Sequence, residues 1–316
     1  MKERLKSVWL VVPCFNEEEV LPESAKQMRK KLEELIRKRK VSAKSRIVLV
    51  DDGSKDRTWK IIEKFAKDKR FLGVKLSRNF GHQAALLAGL EVAKEADAVI
   101  TIDADLQDDL GAVEEMMKKF KGGAEIVFGV RKSREKDTWF KRGSAGGFYK
   151  LMNLLGARTV ENSADFRLMS KKAIDELEKY QEVNLFLRGI VPEIGFKTEI
   201  VEYDRKERLA GKSKYPLGKM IHFAIEGITS FSTKPIKLVF LLGAVISVLS
   251  AGVLAYALVV KFLGQTVSGW TFIIVSIWLL GGGQMLAIGI VGEYVGKIYL
   301  ETKRRPRYII EKVSRK

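Results

Sequence analysis

The chain has 316 residues, and its 57 lysines and arginines against 39 aspartates and glutamates leave a formal charge of +18. That is length for about two domains and a charge that points to anionic surfaces or substrates. At 46% hydrophobic and 30% charged residues it is not a disordered chain. The one cysteine, Cys14, excludes an internal disulfide framework and a cysteine-built zinc or iron-sulfur site, and two histidines, His82 and His222, leave any metal to oxygen ligands.

In chain order, Val8 to Val12 is a short continuous apolar run, rich in β-branched residues, as expected of a strand buried on both faces. A charged helix is predicted over Glu17 to Lys40, a second buried strand over Ile47 to Val50 and a helix over Asp56 to Lys67. A strand at Leu72 to Leu76, a helix over Gln83 to Glu95, a strand over Ala98 to Ile102, a helix over Leu110 to Phe120 and a strand over Ile126 to Val130 follow. This alternation predicts an α/β domain with a mostly parallel sheet. Ligands of such sheets bind beyond the carboxyl ends of the strands, and unusual polar residues cluster there: Asn16 and Glu17, Asp51 and Asp52, Asp103, Asp105 and Gln107, and Arg131. For Ser54 and Asp56, capping of the next helix competes equally with ligand contact. Two aspartates two residues apart in an extended segment, Asp103 and Asp105, face the same way and repel each other unless a cation sits between them. Such a donor set suits magnesium or manganese, which take their remaining ligands from a diphosphate. Cys14 and His82 are read as structural.

The C-terminal third changes character. Tyr215 to Thr233 has apolar residues at helical spacing beside Lys212, Lys214 and Lys219, and is read as an interfacial helix on anionic lipid. Leu238 to Val260 is a run of 23 uncharged residues and Gly269 to Gly292 one of 24. The first, as a helix, is about 35 Å long, enough for a hydrocarbon core of about 30 Å. Lys234 and Lys237 precede the runs, Lys297, Lys303, Arg304, Arg305 and Arg307 follow, and one cation lies between them, so both ends are expected on the cytoplasmic side with no signal peptide. Gly281 to Gly283 with Gln284 suit close helix approach and a homo-oligomer; local flexibility is an equal alternative. The expected organisation is a cytoplasmic catalytic domain over residues 1–214, an amphipathic helix over 215–235, a transmembrane hairpin over 236–292 and a basic cytoplasmic tail over 293–316, in all a multi-pass protein of the cell membrane.

An ordered series of motifs runs along the chain: VVPCFNEEE at 11–19, VDDGSKD at 50–56, LSRNFGHQAALLAG at 76–89, DADLQD at 103–108, ADFRLMS at 164–170, GKSK at 211–214 and VGEY at 291–294. In this it resembles glycosyltransferase family 2, and within it the polyprenyl-phosphate glycosyltransferases, which include dolichol-phosphate mannose synthases and bacterial prenyl-phosphate glucosyltransferases. The resemblance implies a GT-A type fold, with Pro13, Phe15, Glu17, Asp52 and Asp103 around the nucleotide. It implies Mg²⁺ or Mn²⁺ on Asp103, Asp105 and Gln107, and Asp105 and Asp165 as the catalytic carboxylates.

The reaction so implied is attack of a polyprenyl phosphate on the anomeric carbon of a UDP-sugar, with inversion. Arg131, Arg134, Arg208, Ser213 and Lys214 are the candidates for holding the acceptor phosphate. Because a phosphate with a second pKa of about 6 is already anionic near neutral pH, Asp165 is open to three roles: orienting the acceptor, contacting a sugar hydroxyl or pairing with an arginine. The charged segment Lys132 to Arg142 is expected to be a loop near the acceptor. A processive polysaccharide synthase would carry a QxxRW motif and further spans, which are not in the sequence. A basic membrane-tethered nucleic-acid or scaffold protein would leave the paired aspartates unexplained.

Overall fold

The structure is a computed structural model that describes residues 4–132, 163–183, 186–204, 233–263 and 269–315. Among these, eight strands form one sheet in the order β7-β5-β6-β4-β1-β2-β3-β8. The strands are β1 (Val8–Cys14), β2 (Arg46–Asp51), β3 (Phe71–Leu76), β4 (Ala98–Thr101), β5 (Ile126–Arg131), β6 (Ser163–Ser170), β7 (Thr198–Tyr203) and β8 (Ile310–Ser314). The helices are α1 (Leu21–Arg37), α2 (Thr58–Phe65), α3 (His82–Val92), α4 (Ala112–Lys121), α5 (Lys171–Leu177), α6 (Leu187–Glu193), α7 (Lys234–Phe262) and α8 (Trp270–Thr302).

Local sequence accounts for the first half. Every residue of β1 is buried, which is why its apolar run is unbroken. On α1, Leu21, Ala25, Met28, Leu32 and Leu35 line one buried stripe, with a proline in the first turn where its missing N–H costs nothing. The central α3 is buried continuously from Ala84 to Leu90. It lies so close to the sheet that a Cβ on Gly89 would meet Val11 Cγ1 at 2.3 Å and Val50 Cγ2 at 2.9 Å. All nine elements predicted up to residue 131 are present.

The second half departs from the expected pattern. Pairs β1–β2, β1–β4, β2–β3 and β5–β7 are parallel, but β6 runs antiparallel between β4 and β5, and β8 pairs antiparallel with β3. Antiparallel β6 has a positional consequence. Its register sets Thr101 opposite Arg167, so two residues further along β4 and two residues back along β6 lie Asp103 and Asp165.

The described residues fall into two units. α7 and α8 form one; the sheet with its helices, together with the segment from Arg305 onward, forms the other. The C-terminal segment, expected as a basic tail, is therefore a correction: it ends α8 and then returns as an edge strand. Ser77 N–H donates to Ile309 O at 3.0 Å, Lys75 pairs with Glu311 at 2.9 Å and Lys312 with Glu63 at 2.7 Å. The apolar runs fall in helices of 29 and 33 residues, Gly269 preceding the second as its N-cap. Side chains at several positions inside them lie outside the described set, and among the described residues no helix is long and apolar enough to cross a membrane. The expected transmembrane hairpin is thus not shown by the fold. Most of the expected interfacial helix, residues 215–232, lies outside the described residues.

Candidate active site

The carboxyl ends of the strands are tied to one another by their polar loops. After β1, Asn16 adopts φ 54°, a left-handed conformation uncommon for a side-chain-bearing residue. Its N–H donates to Ser54 Oγ at 3.0 Å, and its Oδ1 accepts from Lys55 N–H at 2.9 Å. Thr58 Oγ1 accepts from Glu17 N–H, and Asp56 accepts from the N–H groups of both Glu18 and Thr58. Ser54 and Asp56 thus lock the two loops together, beyond simple capping. Gly53, at φ 66°, is pressed against the backbone of Arg78 and Asn79, where a Cβ would come within 2.4 Å. Only glycine meets both demands.

Asp52 is buried, and burial raises its pKa against the lowering effect of its hydrogen bonds. Its Oδ1 accepts from Phe80 N–H at 2.7 Å and its Oδ2 from Gly81 N–H at 3.0 Å. The carboxylate expected beside the nucleotide here places both oxygens on the loop before α3. That loop delivers His82, at the start of α3, between two aspartates: Nε2 lies 3.7 Å from Asp103 Oδ1 and 3.4 Å from Asp165 Oδ2. His82, read from sequence as structural, stands inside the site.

Asp165 is the hub of the second half. Arg167, 1% exposed, holds its Oδ1 at 2.5 Å, and Arg188 Nη2 lies 3.1 Å from its Oδ2. Arg167 also donates to Leu187 O at 3.1 Å, while Gln83 Oε1 accepts from Leu187 N–H at 2.9 Å, so α3, β6 and α6 are clasped at one point. Burial works to raise the Asp165 pKa, but the His82 hydrogen bond and the two guanidiniums hold it well below the usual carboxylate range. For His82, burial opposes the charged form, and Asp165 and Asp103 outweigh it to raise the pKa.

On the other side, Arg131 ends β5. Its Nε donates to the Tyr203 hydroxyl at 3.2 Å and its Nη2 lies 3.5 Å from Asp108 Oδ1, which also accepts from that hydroxyl. Asp105 is buried, and its Oδ1 accepts from Gln107 N–H at 3.1 Å across a turn in which buried Leu106 has φ 55°. Backbone strain of this kind concentrates where side chains must be aimed. Asp103 is pushed up to about 6 by burial, which His82 counteracts and which Asp108, Asp165 and Asp105 reinforce.

Among the described residues no group of three or more His, Cys, Asp or Glu side chains forms a metal cage. The donors nevertheless fit a hard divalent ion held by few protein ligands. Asp103 carries the cost of burial, to which neighbouring carboxylates add, and Asp108 Oδ2 is buried without a hydrogen-bond partner among the described residues. Asp103 and Asp105 are the residues that would hold such an ion; it would supply positive charge for a diphosphate.

Of the other residues singled out from sequence, Pro13 is buried within β1 opposite Val50, Phe15 is 42% exposed and Glu17 is half-buried. Arg134, Arg208, Ser213, Lys214 and the expected acceptor loop beyond Lys132 lie outside the described residues. Sequence reading assigned no site role to His82, Asp108, Arg167, Arg188 or Tyr203. The first three sit inside the motifs at 76–89, 103–108 and 164–170 and were within reach. Arg188 and Tyr203 lie in none: the pairing of β7 with β5 brings in Tyr203, and the clasp of α6 on Arg167 and Gln83 brings in Arg188.

The family model described as "Glycosyl transferase family 2" matches residues 9–178, a span from β1 to just past α5. The chain is 54% identical over 313 residues to "Uncharacterized glycosyltransferase YkoT" of Bacillus subtilis (strain 168), covering 98% of this chain and 93% of that protein. It is 42% identical over 309 residues to "Prophage bactoprenol glucosyl transferase homolog" of Escherichia coli (strain K12), covering 97% and 99%. To "Bactoprenol glucosyl transferase" of Shigella phage SfII it is 41% identical over 309 residues, covering 97% and 98%. With a carboxylate-rich cluster at the strand ends of a mixed α/β sheet and a family match over more than half its length, the chain belongs to glycosyltransferase family 2.

Proposed function

We propose that this transferase moves glucose from a nucleotide-diphospho-sugar, with UDP-glucose the preferred donor, to a polyprenyl phosphate at the cytoplasmic face of a membrane. The observation that carries the reading is the extent of the likeness: relatives named bactoprenol glucosyl transferase align at 41–42% identity over 97% of this chain. That span takes in the two long helices as well as the cleft. Large apolar side chains along those helices stand in the open, among them Phe240 at 77% and Met285 at 74% exposed. Apolar surface of that extent calls for a cover, and the lipid surface that carries the proposed acceptor would provide one.

The chemistry follows from charge. An acceptor phosphate oxygen attacks the anomeric carbon as the bond from that carbon to the diphosphate oxygen breaks. The bonding pair leaves with the nucleoside diphosphate, and direct displacement inverts the anomeric centre. No proton has to be removed, because the acceptor phosphate is anionic near neutral pH. The difficulty is bringing two anions together, so catalysis rests on preorganised positive charge. Arg131 is fixed for that work by buried Asp108 and by Tyr203. Asp103 and Asp105 would hold Mg²⁺ or Mn²⁺ on the donor side.

The test is transfer of label. Purified full-length protein, supplied with a divalent cation, a short-chain prenyl phosphate and labelled nucleotide sugars in turn, is expected to move label into the organic phase from UDP-glucose. Label that stays in the aqueous phase with every donor, from protein that binds UDP, contradicts the proposal.

A further inference from the structure

Beside Arg131 on Asp108, another partly exposed guanidinium is docked on a largely buried carboxylate. Arg188, in the first turn of α6, sets Nη2 3.1 Å from Asp165 Oδ2 and Nε 3.5 Å from Oδ1, with side-chain exposures of 35% for the arginine and 12% for the aspartate. Arg131 sits on Asp108 in the same way, 29% against 1%. In each pair the carboxylate is the more buried member and the guanidinium the more accessible one. Asp165 is gripped on its other side by Arg167, which at 1% exposure reaches no ligand. A carboxylate with a guanidinium on each oxygen is a firm anchor and a poor place to put a proton. The displacement, moreover, releases no proton that a base must take up. What the chemistry lacks is cations against two phosphates, and the planar fork of an arginine held in place by its anchor binds phosphate with little ordering cost.

We propose that Arg188 binds a phosphate oxygen during transfer, on the acceptor or on the leaving diphosphate, and that Asp165 is a positioning residue which aims Arg188 rather than a base. The inference rests on the functional reading above and adds to it a group which that reading leaves unassigned.

The experiment compares the parent with Arg188→Ala, Arg188→Lys, Asp165→Asn and the Arg188→Ala/Asp165→Asn double variant, all as full-length protein. It measures kcat, KM for prenyl phosphate and the dissociation constant of UDP. Loss of one charge-assisted contact is expected to raise one of the two constants about tenfold in Arg188→Ala. Which constant moves tells the acceptor phosphate from the diphosphate. Arg188→Lys keeps the charge without the fork and is expected to fold as the parent does and to recover part of the loss. Asp165→Asn is expected to move the same constant in the same direction, with the double variant no worse than Arg188→Ala alone. The inference is overturned by an Arg188→Ala protein with both constants and kcat within about twofold of the parent, a change worth under half a kcal/mol. It is equally overturned if Asp165→Asn loses kcat with both constants intact while Arg188→Ala keeps it. A parent that binds UDP and transfers nothing to prenyl phosphate fails the functional reading instead, and there a UDP constant raised about tenfold in Arg188→Ala still upholds a phosphate-binding Arg188.

Discussion

At the scale of single residues, the site runs on carboxylates whose surroundings pull their pKa values in opposite directions. Asp103 is raised on folding to about 6. Between about pH 4 and that value the native state therefore keeps a proton that the unfolded chain has released, and the contribution of Asp103 to stability falls as pH rises through the window. Asp165 is depressed, so its contribution is present above the ordinary carboxylate range and is lost only on acidification below it. Asp103→Asn removes the first penalty. In metal-free buffer near neutral pH it is expected to melt about 2–4 °C above the parent, with the gap closing toward pH 4, while transfer falls by at least about a hundredfold. A thermal melt across pH checks the first statement and the label assay the second; a variant that melts below the parent at neutral pH contradicts it. Tyr203→Phe deprives buried Asp108 of a hydroxyl donor and is expected to cost about 1–3 kcal/mol in a urea titration. The paired aspartates and Arg131 were legible in sequence because each follows directly on an apolar strand. Arg188 and Tyr203 were not, since the contacts that define them, to Asp165 and Asp108, lie 23 and 95 residues away along the chain.

Among the elements, the same contrast has a physical cause. β1, β2 and β4 announce themselves because both their faces are buried. β6 conceals itself: SADFRLMS sets Asp165 and Arg167 at alternate positions of a strand whose neighbours are also buried. A charged pair that satisfies itself inside the sheet breaks the apolar signature while keeping the strand. β8 is hidden for a different reason. As an edge strand, IEKVS carries the charges that blunt an edge, and they read as tail. Deleting residues 305–316 uncovers β3 and removes the ion pairs of Lys75 and Glu63. The truncated protein is expected to lose soluble yield and to elute as aggregate on size-exclusion chromatography; elution like the parent's contradicts the assigned role of β8. Gly89→Ala forces a methyl group into Val11 and Val50, with an expected loss of about 1–3 kcal/mol in the same urea titration.

For the whole molecule, a catalytic sheet and a pair of long helices share one chain, and the proposed lipid acceptor gives them a common purpose. Cys14 is the sole cysteine and is buried, so single cysteines placed elsewhere report topology against a low background. The hairpin expected from sequence is tested this way: it predicts that Ser268→Cys, between the helices, reacts with a membrane-impermeant maleimide in intact cells, and Lys316→Cys only after lysis. Equal labelling of both in intact cells contradicts a hairpin with both ends inside. The most direct test of the chemistry is glucose transfer to prenyl phosphate in the presence of chelator, with Mg²⁺ or Mn²⁺ added back, for the parent and Asp105→Asn. Chelation is expected to abolish product, either cation to restore it in the parent, and neither in the variant; undiminished transfer under chelator, or by Asp105→Asn, would contradict a diphosphate held through a divalent ion at Asp103 and Asp105.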